Sequence, residues 1–201
     1  MRFGVLISGG GSNLQSILDA CASGAIAGEV AVVISNREDA YGLERAERAG
    51  AAAVFIDPKT YDDPAGYNHA IRETLELEGV ECVVMAGYMK LLGSEVLDAY
   101  PMRVLNIHPA LLPSFAGAHG IRDAFEYGVK VTGVTVHFAN EVFDEGPIIA
   151  QEAVSILPND TMDTVEARLH AVEHRLYPAV LAAIAEGRVV VDGRTARILP
   201  R

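Results

Sequence analysis

Short runs of apolar, often β-branched residues alternate with helical patterns along the first half of the chain. Continuous apolar runs of this length are typical of strands that are buried on both faces of a sheet. The predicted strands are Arg2–Ser8, Glu29–Ser35, Ala52–Ile56, Glu81–Ala86 and Arg103–Ile107. The predicted helices between them are Asn13–Cys21, Tyr41–Ala49, Pro64–Glu78 and Ser94–Ala99. Because strand–helix alternation builds right-handed crossover units, this half predicts an α/β fold with a parallel sheet.

The second half of the chain predicts a different strand pairing. Helix Gly120–Tyr127 precedes two strand-like runs, Gly133–Ala139 and Pro147–Ile156, which the short turn Asn140–Gly146 joins. A joint of this length suits antiparallel pairing. We therefore expect a mostly parallel central sheet with an antiparallel part and with helices on both faces. A long helix and a terminal hairpin complete the prediction, at Thr161–Glu186 and Arg188–Leu199.

Length, charge and cysteine usage limit the class of protein. No linker or repeat divides the 201 residues, so we predict a single domain over residues 1–201. The formal net charge of -11 disfavours nucleic acid and membranes as partners. No apolar run approaches the roughly 20 residues needed to span a bilayer. Cys21 and Cys82 form no metal-type spacing, so we expect reduced thiols in a cytoplasmic protein.

A glycine-rich loop separates the first strand from the first helix. The run Ser8-Gly9-Gly10-Gly11-Ser12-Asn13 lets the backbone approach a ligand, and the helix start offers unpaired N–H groups. We interpret it as a phosphate site, with a tight turn capped by Ser12 as the alternative. Leu14 replaces the third glycine of a dinucleotide fingerprint, and Ser35-Asn36-Arg37 lacks the acid that holds an NAD ribose. The pattern therefore disfavours a nicotinamide-dependent oxidoreductase.

Asn106 and His108 lie at the end of the fifth predicted strand, where open parallel sheets bind ligands. Because they are two residues apart on an extended chain, their side chains project to the same side. An amide donor can stabilise an oxyanion, and an imidazole transfers protons near neutral pH. Asp144 can return from its turn to His108, where a carboxylate holds the ring and favours its charged form. A structural histidine and a simple turn are the alternatives.

Other chemistries lack their usual residues in this chain. There is no G-x-S-x-G elbow of a serine hydrolase. His119, His137, His170 and His174 form no H-E-x-x-H motif, although His170 and His174 share a helix face, and we expect no metal site. His137 follows the strand alternation, and we interpret it as a buried structural histidine.

The order and spacing of several segments resemble the phosphoribosylglycinamide formyltransferase family over nearly the whole chain. In the first half the matching segments are Leu6-Ile7-Ser8-Gly9, Gly11-Ser12-Asn13-Leu14-Gln15, Gly42-Leu43-Glu44-Arg45-Ala46 and Ala86-Gly87-Tyr88-Met89. In the second half they are Leu105-Asn106-Ile107-His108-Pro109, Leu111-Leu112-Pro113, Val136-His137-Phe138, Asp144 with Gly146-Pro147, Glu173-His174 and Tyr177-Pro178. The resemblance implies a Rossmann-like formyltransferase fold. Residues of about 1–100 would form its phosphate- or nucleotide-binding half, and residues of about 101–201 its catalytic and folate-binding half.

The resemblance also implies a reaction, in which the formyl group of the co-substrate 10-formyltetrahydrofolate passes to the amine of glycinamide ribonucleotide in purine biosynthesis. By this likeness Asn106, His108 and Asp144 form the catalytic set. The implied ribonucleotide-binding residues are Gly11, Ser12 and Asn13 at the phosphate, together with Glu173. The implied folate-binding residues are Met89, Lys90, Leu91, Leu92, Asn106, Asn140, Glu141, Val142, Phe143 and Asp144. Without the resemblance, Met89, Leu91 and Leu92 would be interpreted as core, and Glu173 as a surface acid or an ion-pair partner.

Three positions depart from the family pattern. Pro64 stands where members often have an arginine for the glutamate tail of folate, and Ala116 replaces a proline. His170 stands where some members have a lysine near the phosphate.

Other functions compete with this interpretation. A methionyl-tRNA formyltransferase needs a further tRNA-binding domain, and a formyltetrahydrofolate deformylase needs a regulatory domain, and we expect neither here. A non-catalytic nucleotide-binding module would have no need of Asn106, His108 and Asp144 together. The sequence is compatible with either a monomer or a homodimer.

Overall fold

The computed structural model describes all residues from Met1 to Arg201. The strands are β1 (Arg2–Ile7), β2 (Glu29–Ser35), β3 (Ala52–Phe55), β4 (Cys82–Met85), β5 (Val104–His108), β6 (Val131–Phe138), β7 (Ile148–Ser155), β8 (Val189–Asp192) and β9 (Thr195–Ile198). The helices are α1 (Ser12–Ala22), α2 (Tyr41–Arg48), α3 (Pro64–Leu77), α4 (Ser94–Leu97), α5 (Gly120–Tyr127) and α6 (Met162–Ala185). The predicted elements are therefore present, and most of their ends differ from the prediction by one or two residues.

All strands belong to one nine-stranded sheet with the order β3-β2-β1-β4-β5-β6-β7-β9-β8. The strands from β3 to β5 pair in parallel, whereas β6 runs antiparallel to both β5 and β7. This arrangement confirms the predicted mostly parallel sheet with an antiparallel part. The chain first builds outwards from β1 to β3 and then continues on the other side of β1 with β4. Such a change of direction leaves a crevice at the carboxyl ends of the two strands.

The sheet is covered by helices on both faces because its central strands are apolar on both sides. Along β1, the side chains of Phe3, Val5 and Ile7 belong to a core cluster with α1 and α6. The alternate residue Leu6 belongs to a second cluster with α3 and α4. This alternation follows from the two-residue period of a strand.

The long helix α6 ties the two parts of the sheet together. Thr161 caps its first turn by accepting a hydrogen bond from the Thr164 amide, and the Thr164 hydroxyl accepts one from the Thr161 amide. Farther along, the buried Tyr177 hydroxyl donates towards the carbonyl oxygens of Met85 and Leu105, each at 3.1 Å. The helix thereby holds the ends of β4 and β5 together. No helix of the chain combines the length and the apolarity needed to cross a membrane.

Candidate active site

A cleft of about 860 Å³ opens at the carboxyl ends of β1, β4 and β5. It lies where the strand order changes direction, so the loops that follow β1 and β4 diverge and leave space between them. The glycine loop, the segment after β4 and the turn that carries Asp144 form its walls. Asn106, His108, Asp144 and Glu173 all line this one cleft.

The glycine loop presents a row of free backbone donors. The amides of Gly10–Leu14 have no acceptor within the protein, since the first turn of a helix leaves its N–H groups unpaired. Gly11, not Ser12, is the N-cap of α1, and its backbone is left-handed with φ 70°. Side chains at Gly9 and Gly10 would project into open space rather than into protein. Free amides at the positive end of a helix suit an anion such as phosphate.

Glu173 connects α6 to the start of α1. Its Oε2 accepts a hydrogen bond from Asn13 Nδ2 at 3.0 Å and lies 2.8 Å from His170 Nδ1. Only 4% of Glu173 is exposed, so the interpretation as a surface acid is wrong, and the contact with His170 agrees with the alternative of an ion-pair partner. The hydrogen bond to Glu173 raises the pKa of His170, although partial burial opposes this shift. A buried carboxylate that contacts Asn13 and His170 therefore lies beside the free amides.

Asp144 is the centre of a second cluster. One of its oxygens, Oδ1, lies 3.4 Å from Asn106 Nδ2 and 3.5 Å from His137 Nε2. The other, Oδ2, lies 3.5 Å from His108 Nδ1. Asn106 and His137 are opposite each other in the β5–β6 ladder, and their side chains meet at 3.2 Å. The expected approach of Asp144 to His108 is thus present in the structure, and Asn106 and His137 lie at the same carboxylate.

The backbone around Asp144 fixes the direction of its side chain. Asp144 is left-handed with φ 58°, a conformation that aspartate tolerates better than most residues. The Gly117 amide donates to its Oδ2 at 2.8 Å. Burial alone would raise the pKa of the Asp144 carboxyl, but hydrogen bonds from His137 and Gly117 and the nearby His108 outweigh it, and the pKa lies below its ordinary value. Asp144 is therefore a carboxylate at neutral pH.

Both ring nitrogens of His108 face acceptors. Nδ1 faces Asp144 Oδ2, and Nε2 lies 2.7 Å from the carbonyl oxygen of Phe115. Phe115 is left-handed with φ 55°, an uncommon conformation for a bulky residue. An imidazole with a proton on each nitrogen satisfies both acceptors. The ring is thus arranged to donate hydrogen bonds at the cleft.

Comparison with known proteins identifies the family. Residues 1–181 match the formyl transferase family model. The chain is 41% identical over 180 residues to the phosphoribosylglycinamide formyltransferase of Bacillus subtilis (strain 168), covering 90% of this chain and 92% of that protein. It is 41% identical over 189 residues to the enzyme of the same name from Escherichia coli (strain K12), covering 94% and 89%. The chain belongs to the phosphoribosylglycinamide formyltransferase family.

Solved structures of the family agree with the fold. The crystal structure of glycinamide ribonucleotide transformylase 1 from Symbiobacterium toebii has a TM-score of 0.98 and 53% identity, covering 100% of this chain and 94% of that chain. The phosphoribosylglycinamide formyltransferase from Bacillus halodurans has a TM-score of 0.90 and 43% identity, covering 92% and 95%. The Rossmann-like formyltransferase fold that the resemblance implied is therefore confirmed.

His137 was interpreted from the sequence as a structural histidine, but in this formyltransferase it lies inside the Asp144 cluster. Its Nδ1 lies 2.8 Å from the Phe138 carbonyl oxygen, so this nitrogen carries a proton. Its Nε2 faces Asn106 and Asp144. The side chain is buried, and it lines the cleft. The alternation within β6 predicted its burial, but only the pairing of β6 with β5 shows which side chains it contacts.

The residues that the family resemblance assigned to folate occupy two walls of the cleft. Met89 and Leu91 are 68% and 42% exposed, so the interpretation of these two as core is wrong, whereas Leu92 is buried. Asn140, Val142 and Phe143 line the cleft from the turn before Asp144. Two assigned residues, Lys90 and Glu141, do not line it. The Lys90 ammonium instead lies 5.9 Å from the centre of the Tyr67 ring.

Pro64, which departs from the family pattern, is the first residue of α3, after the N-cap Asp63, and it does not line the cleft. No group of three or more His, Cys, Asp and Glu side chains is arranged to hold a metal ion.

Proposed function

We propose that this cleft transfers the formyl group of 10-formyltetrahydrofolate to the free amine of glycinamide ribonucleotide, a step of purine biosynthesis. Membership of the family provides the reaction, which the names of the relatives state. One observation carries the proposal for the residues. A row of free amides that suits a phosphate and the cluster of Asn106, His108 and Asp144 line the same cleft. One small phosphorylated substrate can therefore bind at the first and react at the second.

The ribonucleotide would bind between the glycine loop and α6. Its phosphate accepts hydrogen bonds from the amides of Gly11, Ser12 and Asn13, which need no rearrangement. Glu173 lies at the same wall of the cleft and accepts hydrogen bonds from the ribonucleotide. In this proposal residues of about 1–100 supply the phosphate site of a single domain, and residues of about 101–201 supply the catalytic and folate-binding half.

The folate would bind on the side of Met89, Leu91 and Leu92 and of the turn from Asn140 to Asp144. Exposed apolar side chains such as Met89 and Phe143 offer a surface for a flat aromatic ring. Polar backbone groups of the same segments can then orient the ring. The bound folate supplies an activated formyl group.

The chemistry follows from the hydrogen-bond donors of the cluster. As the amine attacks the formyl carbon, negative charge develops on the formyl oxygen, where the Asn106 amide and the His108 imidazolium can stabilise it. Asp144 faces Nδ1 of His108 and holds the ring in place. His108 then donates its proton to the departing folate nitrogen and takes up the proton that the attacking amine loses, so the ring returns to its starting state. No nucleophile of the enzyme is needed, because alignment of the two substrates supplies much of the rate.

We further propose that the protein is cytoplasmic and acts as a monomer or a homodimer. Cys21 and Cys82 are free thiols, which suits a reducing compartment. One chain contains every residue that we assign to the cleft.

The decisive experiment follows the absorbance of the folate product with and without glycinamide ribonucleotide. We expect product only when the ribonucleotide is present. Product without an acceptor would indicate a deformylase, and no product in either case would indicate a binding module or a different acceptor.

Variants then test the residues of the cluster. Asp144→Asn and His108→Ala should each lower kcat by about 10² to 10⁴ while the folding of the chain is retained. Asp98→Asn is the matched control, since this exposed acid makes no side-chain contact. Near-normal turnover in either variant would remove that residue from the catalytic set.

A further inference from the structure

One arginine of α2, Arg45, contacts the glycine loop between β1 and α1. Arg45 Nε donates to the carbonyl oxygen of Gly10 at 2.8 Å, and its Nη1 donates to Gln15 Oε1 at 2.8 Å. One guanidinium thereby joins α2 to the loop and to the first turns of α1. Arg45 also lines the cleft, so this connection lies at the proposed phosphate site.

The start of α2 holds the loop through its backbone as well. The Gly42 amide donates to the carbonyl oxygen of Gly9 at 3.1 Å. A side chain at Gly42 would lie 2.3 Å from Ile7 Cδ1, and one at Gly11 would lie 2.9 Å from the Cα of Gly42. Two glycines therefore allow the helix and the loop to pack backbone against backbone.

These contacts determine where the loop amides point. In a trans peptide the C=O and the following N–H point in opposite directions. Because α2 holds the carbonyls of Gly9 and Gly10, the amides of Gly10 and Gly11 are directed away from α2. Neither amide has an acceptor within the protein. Without the Arg45 contact, the Gly10–Gly11 peptide could rotate freely, since glycine restricts neither dihedral.

We infer that Arg45 is a positioning residue for the phosphate of the ribonucleotide, an inference that rests on the proposed function of the cleft. Its guanidinium fixes the Gly10 carbonyl and thereby keeps the neighbouring amide available to the anion. The role needs the forked geometry of arginine, because two acceptors on different segments are held at once. Helix α2 is thus part of the ribonucleotide site, although the residues assigned to that site lie on α1, on the glycine loop before α1 and on α6.

Three variants separate this role from simple charge or stability. Arg45→Met removes both hydrogen bonds, and Arg45→Lys keeps the charge without the fork. Arg48→Met is the matched control. Arg45 and Arg48 both lie over the Tyr41 ring, but Arg48 donates hydrogen bonds only to Tyr41 and Glu44. The steady-state kinetics of each variant are measured with each substrate varied in turn, together with its thermal unfolding.

We expect Arg45→Met to raise the KM for glycinamide ribonucleotide by about tenfold, with kcat and the KM for the folate within twofold of wild type. A rise in KM alone indicates lost binding that is equal in the ground and transition states. Arg45→Lys should raise the same KM by less, and Arg48→Met should leave it unchanged. An unchanged KM in Arg45→Met would overturn the inference, and full recovery in Arg45→Lys would show that charge alone suffices and overturn the positioning role.

Inorganic phosphate provides a second readout that does not depend on formyl transfer. A ligand that binds the native state raises the unfolding temperature, and at a given concentration a tighter ligand raises it more. Phosphate should stabilise the wild type and Arg48→Met, and should stabilise both Arg45 variants less. If phosphate fails to stabilise the wild type, or stabilises the Arg45 variants equally, the inference is wrong. This result stands even if the protein transfers no formyl group, so the two failures are distinguishable.

Discussion

At the scale of single residues, Asp144 contacts three side chains from two strands, Asn106 and His108 of β5 and His137 of β6. The strand alternation predicts that Asn106 and His108 point to one side, and the turn before Gly146 suggests that Asp144 can return to them. His137 was not predicted as a member, because its contacts depend on the register of β5 against β6. Periodicity along one strand shows which residues are buried, but it does not show their neighbours on the next strand.

This difference leads to a prediction for His137. Replacement by phenylalanine keeps an aromatic ring in the buried site but removes the contacts to Asn106 and Asp144. We expect His137→Phe to lower kcat by roughly 10 to 10²-fold, because small displacements of reacting groups have effects of this size. Steady-state kinetics test it, and His69→Phe, at an exposed position of α3, is the control. A kcat within twofold of wild type would mean that His137 has only a structural role.

At the scale of elements, the ribonucleotide site depends on two helices that meet from distant parts of the chain. The sequence patterns predict both α1 and α6, but they do not predict which face of each helix contacts the other. Asn13 of α1 donates to Glu173 of α6, which His170 of the same helix also contacts. The glycine-loop pattern already indicates Asn13, whereas Glu173 is assigned only by resemblance. A buried glutamate that contacts another helix has no signature in helical periodicity.

The same contact should make stability depend on pH. Glu173 and the nearby Glu166 raise the pKa of His170 above its unfolded value of about 6.5. The resulting stabilisation is fully present below that unfolded value and is lost as the pH rises through the raised folded value. Its size is at most about 1 kcal/mol, since solvent screens the partly exposed ring.

Urea unfolding of wild type and His170→Asn tests this dependence. The free energies of unfolding should differ more at pH 6 than at pH 9. Equal differences at the two pH values, or a larger one at pH 9, would contradict the assignment of the pKa shift to Glu173.

At the scale of the whole molecule, the terminal hairpin of β8 and β9 lies beyond the residues that match the family model. A hairpin around Asp192-Gly193 was predicted from the sequence. The sequence does not predict where this hairpin attaches. One parallel bridge, from Thr195 to Ile148, and a few side chains hold it at the sheet edge, and such contacts have no pattern along the chain. One of these side chains is Arg194, which donates to the carbonyl oxygen of Glu145 at 2.9 Å. The last element of the chain therefore contacts the turn that carries Asp144.

We predict that Arg194→Met lowers kcat/KM by about threefold to tenfold, because one hydrogen bond contributes about 0.5–1.5 kcal/mol. Arg194→Lys should recover part of the loss, since lysine can donate to the same carbonyl. Arg197→Met is the control on the same hairpin, and its side chain is exposed. Equal kinetics in Arg194→Met and Arg197→Met would show that the hairpin does not influence the site.

The hydrogen bond between His108 Nε2 and the Phe115 carbonyl has a further consequence for catalysis. A substrate that reaches this nitrogen exchanges one hydrogen bond for another rather than gaining a new one. The exchange adds little to ground-state affinity, because the resting enzyme already satisfies the donor. The hydrogen bond to the substrate becomes stronger than the one to Phe115 only when the formyl oxygen becomes an anion, which is a stronger acceptor than a neutral carbonyl. Competition from the enzyme's own backbone would in this way reserve the contact for the transition state, where binding energy raises the rate.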